Sequence, residues 1–218
     1  MIINCLHTGR GNIALFDAAA RAAEPGLVLH HHVRADLLAE AETAGGLIPA
    51  IAAKTQDALR TLIPGADAVI LNCTTLGPAV APLQHDARVP LLRSDAPLAA
   101  QAMREGRNVV VLCTVPATLA STQQLFTDAA KGTRARFEIR LLAEAWPLFQ
   151  GGDTDGYYRR IAQAADLAFT QGADLVALAQ ASMAPAADLV QRGRPLTVPA
   201  TCLAAVVEAL PPKAKARC

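Results

Sequence analysis

The stretch GADAVILNCTTLGPAV, Gly65 to Val80, is written a second time 107 residues later as GADLVALAQASMAPAA, Gly172 to Ala187. Seven of the sixteen positions coincide: the Gly-Ala-Asp start, an interior Val and Leu, and the closing Pro-Ala. The likeness spreads outward. PLLRSDAPLAA, from Pro90, parallels PLTVPATCLAA, from Pro195, with a two-residue slip, and IINCLHTGRGN, from Ile2, pairs with VVVLCTVPATL, from Val109, at the same offset. The chain of 218 residues is about twice the offset. A repeat this long is a duplicated subdomain, since solenoid repeats run only about 20 to 50 residues.

Each half alternates apolar strands with helix-like segments. In the first, strands are expected near Ile2–Leu6, Leu27–His31, Ala68–Leu71 and Val89–Leu92, and helices near Ile13–Ala22, Leu47–Leu62, Gly77–Gln84 and Pro97–Glu105. In the second, strands fall near Val109–Cys113, Glu138–Leu142, Leu175–Ala179 and Pro195–Val198, and helices near Ser121–Lys131, Asp155–Gln171, Pro185–Arg192 and Cys202–Leu210. Continuous apolar strands between helices mean a parallel sheet covered on both faces. The expected fold is therefore α/β, with two pseudo-symmetric halves. The first spans 1–97 and is joined by a C-terminal helix, 203–218; the second spans 98–202. Such sheets bind ligands at the carboxyl ends of their strands, so two halves facing each other would place an active-site cleft between them.

Composition narrows the partners. The chain is 52% hydrophobic, with a formal net charge of +1 and only 4% aromatic residues. That gives neither a basic surface nor stacking platforms for nucleic acid. No apolar run reaches the roughly 18 residues of a membrane span, and the start MIINCLHTGRG has no signal-peptide pattern. Five cysteines, an odd number, without CxxC spacing fit a reduced, cytoplasmic protein. The tail PPKAKARC reads as a frayed end, and Cys218 as incidental.

The chemistry gathers where strands end. Cys73 lies between a strand and a helix signalled by Gly77-Pro78. A helix N-terminus offers unpaired N–H groups and a positive dipole end, which lower a thiol's pKa and bind carboxylates. Thr74 and Thr75 add hydroxyl donors and are expected to cap that helix. The alternative is a small buried cysteine before an ordinary cap. Gln180 stands where Cys73 would be in the second half, followed by Ala181 and Ser182; an amide exchanges no proton at neutral pH but can orient a carboxylate or enolate oxygen. Thr8, Gly9 and Asn12, with Thr118 and Ser121, offer hydroxyl, amide and backbone donors, or cap the helices that follow.

His7 ends the first strand and is an accessory candidate. Alternation places His30 and His32 on one side of a strand, but no carboxylate or cysteine stands at ligand spacing, so no metal site is expected. Cys113 reads as packing, Asp95 as a brace or cap. Tyr157 and Tyr158 lie in an exposed-looking turn-to-helix stretch and are expected to pack or to shield the cleft edge.

Taken together, these residues resemble the aspartate/glutamate/hydantoin racemase superfamily over nearly the whole chain. AVILNCTTLGP resembles that family's first cysteine motif, with Cys73 at the catalytic cysteine; VPATLAST resembles its threonine-rich motif; GADLVALAQASMAP sits where its second cysteine motif belongs. The resemblance implies a cofactor-independent, PLP-independent isomerase acting at the α-carbon of a small carboxylic or amino acid, and a homodimer. In typical members one thiolate removes the Cα proton and a second thiol returns one from the opposite face, while donors hold the charge that develops on the carboxylate. Here the second position carries Gln180, or Ala181 if the alignment slips by one. One-cysteine relatives exist, notably arylmalonate decarboxylases, so a decarboxylase or lyase on a small carboxylate is a second reading, and a non-catalytic small-acid-binding protein a third. Under the first two, Cys73 is catalytic, and Thr8, Asn12, Thr74, Thr75, Thr118, Gln180, Ala181 and Ser182 bind substrate. The expected partner is a small-molecule carboxylate, with no cofactor, metal, nucleic acid or membrane.

Overall fold

A computed structural model describes residues 1–24 and 26–210. The proposed helix segment 211–218, with Cys218, lies outside the described residues. The chain divides into two compact units, Met1–Asp95 with the chain from Cys202 on, and Ala96–Thr201.

The first unit runs β1 (Ile2–His7), α1 (Asn12–Ala23), β2 (Val28–Val33), α2 (Ala35–Thr43), α3 (Pro49–Thr61), β3 (Ala68–Asn72), α4 (Ala81–Gln84) and β4 (Leu91–Arg93). Its sheet is parallel, in the order β2-β1-β3-β4. The second unit runs α5 (Ala96–Glu105), β5 (Asn108–Cys113), α6 (Leu119–Ala130), β6 (Arg136–Leu141), α7 (Ala145–Gln150), α8 (Thr154–Thr170), β7 (Leu175–Leu178) and β8 (Leu196–Thr197). Its sheet is also parallel and has the same order, β6-β5-β7-β8. The helix α9 (Val198–Ala209) crosses the boundary between the units in the chain.

The central strands explain the sheets. β3 is buried at every position, and β1 and β5 at every position but the first, which requires helices on both faces. On one face of the first sheet Leu6, Val69 and Leu71 pack with Leu37 and Ala41 of α2 and Ile51 and Leu59 of α3. In the second, Val110, Leu112, Val176 and Leu178 pack with Ala145 of α7 and Tyr157, Ile161, Ala165 and Ala168 of α8. The edge strand β2 alternates exposed and half-buried residues: His30 and His32 face out, as expected, and His31 faces in.

The repeated Gly-Ala-Asp has a structural reason. Gly65 and Gly172 have φ of 79° and 98°, a left-handed conformation that glycine adopts without strain. The chain turns there, and the aspartate anchors the start of the central strand. The Ile2 N–H donates to Asp67 Oδ2 at 2.8 Å. The Arg107 and Asn108 N–H groups donate to the Asp174 carboxylate at 3.0–3.2 Å.

Several expected elements differ. α2 and α7 were not expected; both are short, and α7 carries Pro147. The helix expected over Gly77–Gln84 is a 3-10 turn, Gly77–Val80, running into the four-residue α4, and that expected over Pro185–Arg192 is a 3-10 segment, Ala181–Leu189. Pro78, Pro82 and Pro185 each lack the N–H that a regular helix needs. Thr74 and Thr75 do not cap: the residue at the helix start is Leu76, with no side-chain cap.

Gly65→Ala and Gly172→Ala are each expected to lower the unfolding free energy by about 1–2 kcal/mol, as measured by urea denaturation, whereas alanine at exposed Gly9, where a Cβ meets nothing, should change it by less than about 1 kcal/mol.

Candidate active site

Three neighbouring strands of the first sheet end alike. A buried polar residue stands at the strand end, or just past it for β4, and a residue with usable chemistry follows it: His7 then Thr8, Asn72 then Cys73, Ser94 then Asp95. The register that pairs His7 with Asn72 puts both side chains on one face of the sheet. Ser94 Oγ donates to Asn72 Oδ1 at 3.0 Å, and Asn72 Nδ2 donates to His7 Nδ1 at 2.9 Å. Beyond it, His7 Nε2 lies 2.8 Å from His31 Nδ1, and His31 Nε2 lies 3.0 Å from Asp17 Oδ1. With both imidazoles neutral, the donors run in one sense from Ser94 to Asp17, and every nitrogen is used once. Burial and the neighbouring His31 ring hold His7 down to about 4, so it is uncharged at neutral pH. Its ring is fully buried; His7 therefore backs the strand end and does not reach the surface that Thr8 shares.

Cys73 is half-buried. Burial pushes its thiol above the ordinary value, and the Asp95 carboxylate pushes the same way. The Thr8 hydroxyl and the N–H groups of Leu76 and Thr75 favour the thiolate but do not win. The expected lowering by a helix N-terminus is thus corrected: one 3-10 turn and a four-residue helix sum few peptide dipoles, and desolvation dominates.

Asp95 is nearly fully buried, and Arg93 holds it through two bonds, Nε to Oδ1 at 2.7 Å and Nη2 to Oδ2 at 2.8 Å. The guanidinium lies over Gly77, where an added Cβ would stand 2.7 Å from the Arg93 Nε and Cζ. Gly77 therefore gives Arg93 its room, four residues after Cys73.

In the second unit the matching strand ends carry a different network. Gln180 Oε1 accepts from the Thr114 N–H at 2.8 Å and from Thr114 Oγ1 at 2.7 Å. The Thr114 hydroxyl has spent its hydrogen there, so it accepts from the Tyr157 hydroxyl at 3.2 Å, which in turn accepts from Ser182 Oγ at 3.0 Å. Both acceptor positions of the Gln180 amide oxygen are taken. Its Nε2 donates to Thr118 Oγ1 at 3.4 Å, and Thr118 Oγ1 itself donates to the Val115 carbonyl at 2.8 Å.

The structure thus brings Thr8, Thr74 and Thr75 to Cys73 in the first unit, and Thr118, Ala181 and Ser182 to Gln180 in the second. Asn12 opens α1, half-buried. Cys113 is buried and its thiol is pushed up to about 11 by burial, as suits packing. Tyr157 packs, one of the two roles expected for it, although its stretch looked exposed: it is fully buried. Sequence reasoning missed His31, Asp17, Asn72, Ser94, Arg93 and Thr114. One signal was present for four of them: Asn72 precedes Cys73, Ser94 precedes Asp95, Arg93 alternates with Asp95, and His31 stands between His30 and His32; Asp17, inside α1, and Thr114 had none of this kind.

With this geometry in place, comparison with known proteins is informative. The profile described as Asp/Glu/Hydantoin racemase matches residues 13–209. The chain belongs to this family. No curated protein sequence matches it. Among solved structures, an aspartate racemase from Picrophilus torridus is similar with a TM-score of 0.71 and 12% identity, covering 98% of this chain and 97% of that one. An allantoin racemase from Pseudomonas fluorescens is similar with a TM-score of 0.69 and 21% identity, covering 96% and 89%. A glycine-to-cysteine mutant of arylmalonate decarboxylase in a sulfate-associated form gives 0.64 and 14%, covering 96% and 93%. They share the fold. Among the described residues no helix is long and apolar enough to cross a membrane.

The electrostatics of Cys73 are directly measurable. Its rate of alkylation by iodoacetamide is expected to be low at neutral pH and to rise with pH through a midpoint above the ordinary thiol value. Asp95→Asn should move that midpoint down and Thr8→Val should move it up. Cys73→Ala protein supplies the background from the buried thiols.

Proposed function

We propose that the protein acts at the α-carbon of a small carboxylic acid by one-sided proton transfer, with Cys73 as the acid, and that decarboxylation is the reaction that fits best. The observation that carries this reading is the pairing of states. Burial keeps the Cys73 thiol protonated, which suits a proton donor. The corresponding strand end in the second unit holds an amide whose oxygen is fixed as an acceptor of two Thr114 donors, and an amide is neither acid nor base at neutral pH. A two-base racemase needs a titratable group at both places.

In the proposed step a geminal dicarboxylate loses one carboxyl group. The Cα–carboxyl bond breaks, carbon dioxide leaves, and the electron pair remains as an enediolate. Cys73 Sγ gives its proton to Cα on one face, and the resulting thiolate regains a proton from water. Hydroxyl donors hold the charge on the enediolate oxygens; Thr8, Thr74 and Thr75, beside Cys73, are of the right kind. The similarity to a protein named as a decarboxylase supports this reading. Family membership supports the alternative of isomerisation at the same carbon.

The test is incubation in D2O with a panel of 2-substituted malonates, amino acids and hydantoins. The expected outcome is carbon dioxide release from a malonate, with one deuterium at Cα in a single configuration, and at least a ~100-fold loss of turnover in Cys73→Ala. Deuterated product of inverted configuration from an amino acid or hydantoin would replace this reading with isomerisation. Ligand-induced thermal shifts without turnover would replace it with a binding role.

A further inference from the structure

The triple histidine of β2 plays no part in the reaction proposed above, yet the fold turns its middle member inward onto a cysteine. His31 pairs in register with Cys5, and His7 follows two residues on in β1, so all three side chains share one face of the sheet. One ligand atom from each lies within 4.8 Å of the other two, the only such Cys/His/acid grouping among the described residues. We propose that Cys5, His7 and His31 form a binding site for a soft divalent transition-metal ion of the zinc class, independent of the Cys73 chemistry.

The ligand set is the first argument. One thiolate and two imidazoles are what a zinc-class ion prefers, with ligand atoms about 3.3–3.6 Å apart in a tetrahedral site. His7 Nε2 and His31 Nδ1 are already 2.8 Å apart and need to open only slightly.

The surrounding shell is the second argument. Asp17 Oδ1 sits 3.0 Å from His31 Nε2. A carboxylate there accepts a hydrogen bond from Nε2–H, which keeps the proton on Nε2 and leaves Nδ1 as a lone pair aimed at His7, as in carboxylate–histidine–metal arrangements. Asn72 can do the same for His7. Turned end for end, its amide oxygen accepts from His7 Nδ1 and its NH2 donates to Ser94 Oγ, at the same heavy-atom distances of 2.9 and 3.0 Å. In that state His7 Nε2 is also a lone pair. Two lone pairs facing each other beside a sulfur call for one cation between them. A proton fills the place in the hydrogen-bonded state described above; a metal ion fills it in the other. Binding then moves the His7 proton from Nε2 to Nδ1 and releases one proton, that of the Cys5 thiol, to solvent.

The outer end of the chain of contacts is near the surface: Asp17 lines a cavity of about 310 Å³ together with Arg21 and Glu24, among others, and the His31 side chain keeps 12% of its surface exposed.

The test uses the full chain, stripped with a chelator and titrated with Co2+. One equivalent is expected to bind and to produce thiolate-to-cobalt charge-transfer absorption; Zn2+ should displace it and raise the Tm. Asp17→Asn should weaken binding about 10–100-fold, His31→Gln at least as much, and Cys5→Ser should remove the charge-transfer band. Cys73→Ala and His32→Gln should bind as the natural sequence does. Because Cys5 is deep in the core, the half-buried edge position His31 gives the decisive variant if Cys5→Ser does not fold. Failure to bind one equivalent, a band unchanged in His31→Gln, or a band lost in Cys73→Ala would overturn the proposal.

Discussion

The hydrogen bond from Asn72 to His7 joins the two central strands of the first sheet at the level where their chemistry begins. Both groups are buried, and leaving either unpaired there costs about 1–3 kcal/mol. The bond therefore fixes the lateral spacing of β1 and β3, and with it the approach of Thr8 to Cys73. Ser94 extends the constraint to β4 and so to Asp95. A polar tier lies under the site, and an apolar core lies under the tier. The position of the thiol depends on that order of layers more than on any contact the thiol makes itself.

The second unit solves the same structural problem with different chemistry. Thr114 stands at the position of His7, Ala179 at that of Asn72 and Gln180 at that of Cys73, each 107 residues on. With no amide at Ala179 to tie the strands, the tie passes through Gln180, whose oxygen takes both donors of Thr114. An amide used in this way exchanges no proton at neutral pH. The amide at position 180 and the form of the strand tie are thus one fact in physical terms.

Much of this was legible in the sequence because duplication repeats the strongest signals. Buried parallel strands read as apolar runs, and Gly-Ala-Asp marks the same turn and the same anchored strand start twice. Cys73, Gln180 and their neighbouring hydroxyls stood out because they interrupt those runs. Less legible was anything decided by a competition of magnitudes. The sign of the Cys73 shift needed the desolvation of a half-buried sulfur and one carboxylate weighed against three donors, and no spacing rule contains that comparison. Tyr157 looked exposed because Gly-Asp-rich sequence precedes it, yet helical periodicity places it with Ile161 and Ala165 on the inner face of α8. Of His30, His31 and His32, only three-dimensional register could say which one meets Cys5.

The double hold of Thr114 on Gln180 also bears on how this chain can change. Cysteine at position 180 would be the obvious single step back toward a symmetric pair of thiols. Its side chain is too short and too weak an acceptor to serve the Thr114 N–H, which would be left buried without a partner, along with a hydroxyl that had donated to the same oxygen. The substitution carries its own penalty until position 114 or 179 changes as well. Position 180 is thus locked by a bond it makes with its neighbouring strand, and the difference between the two halves is held by the fold itself.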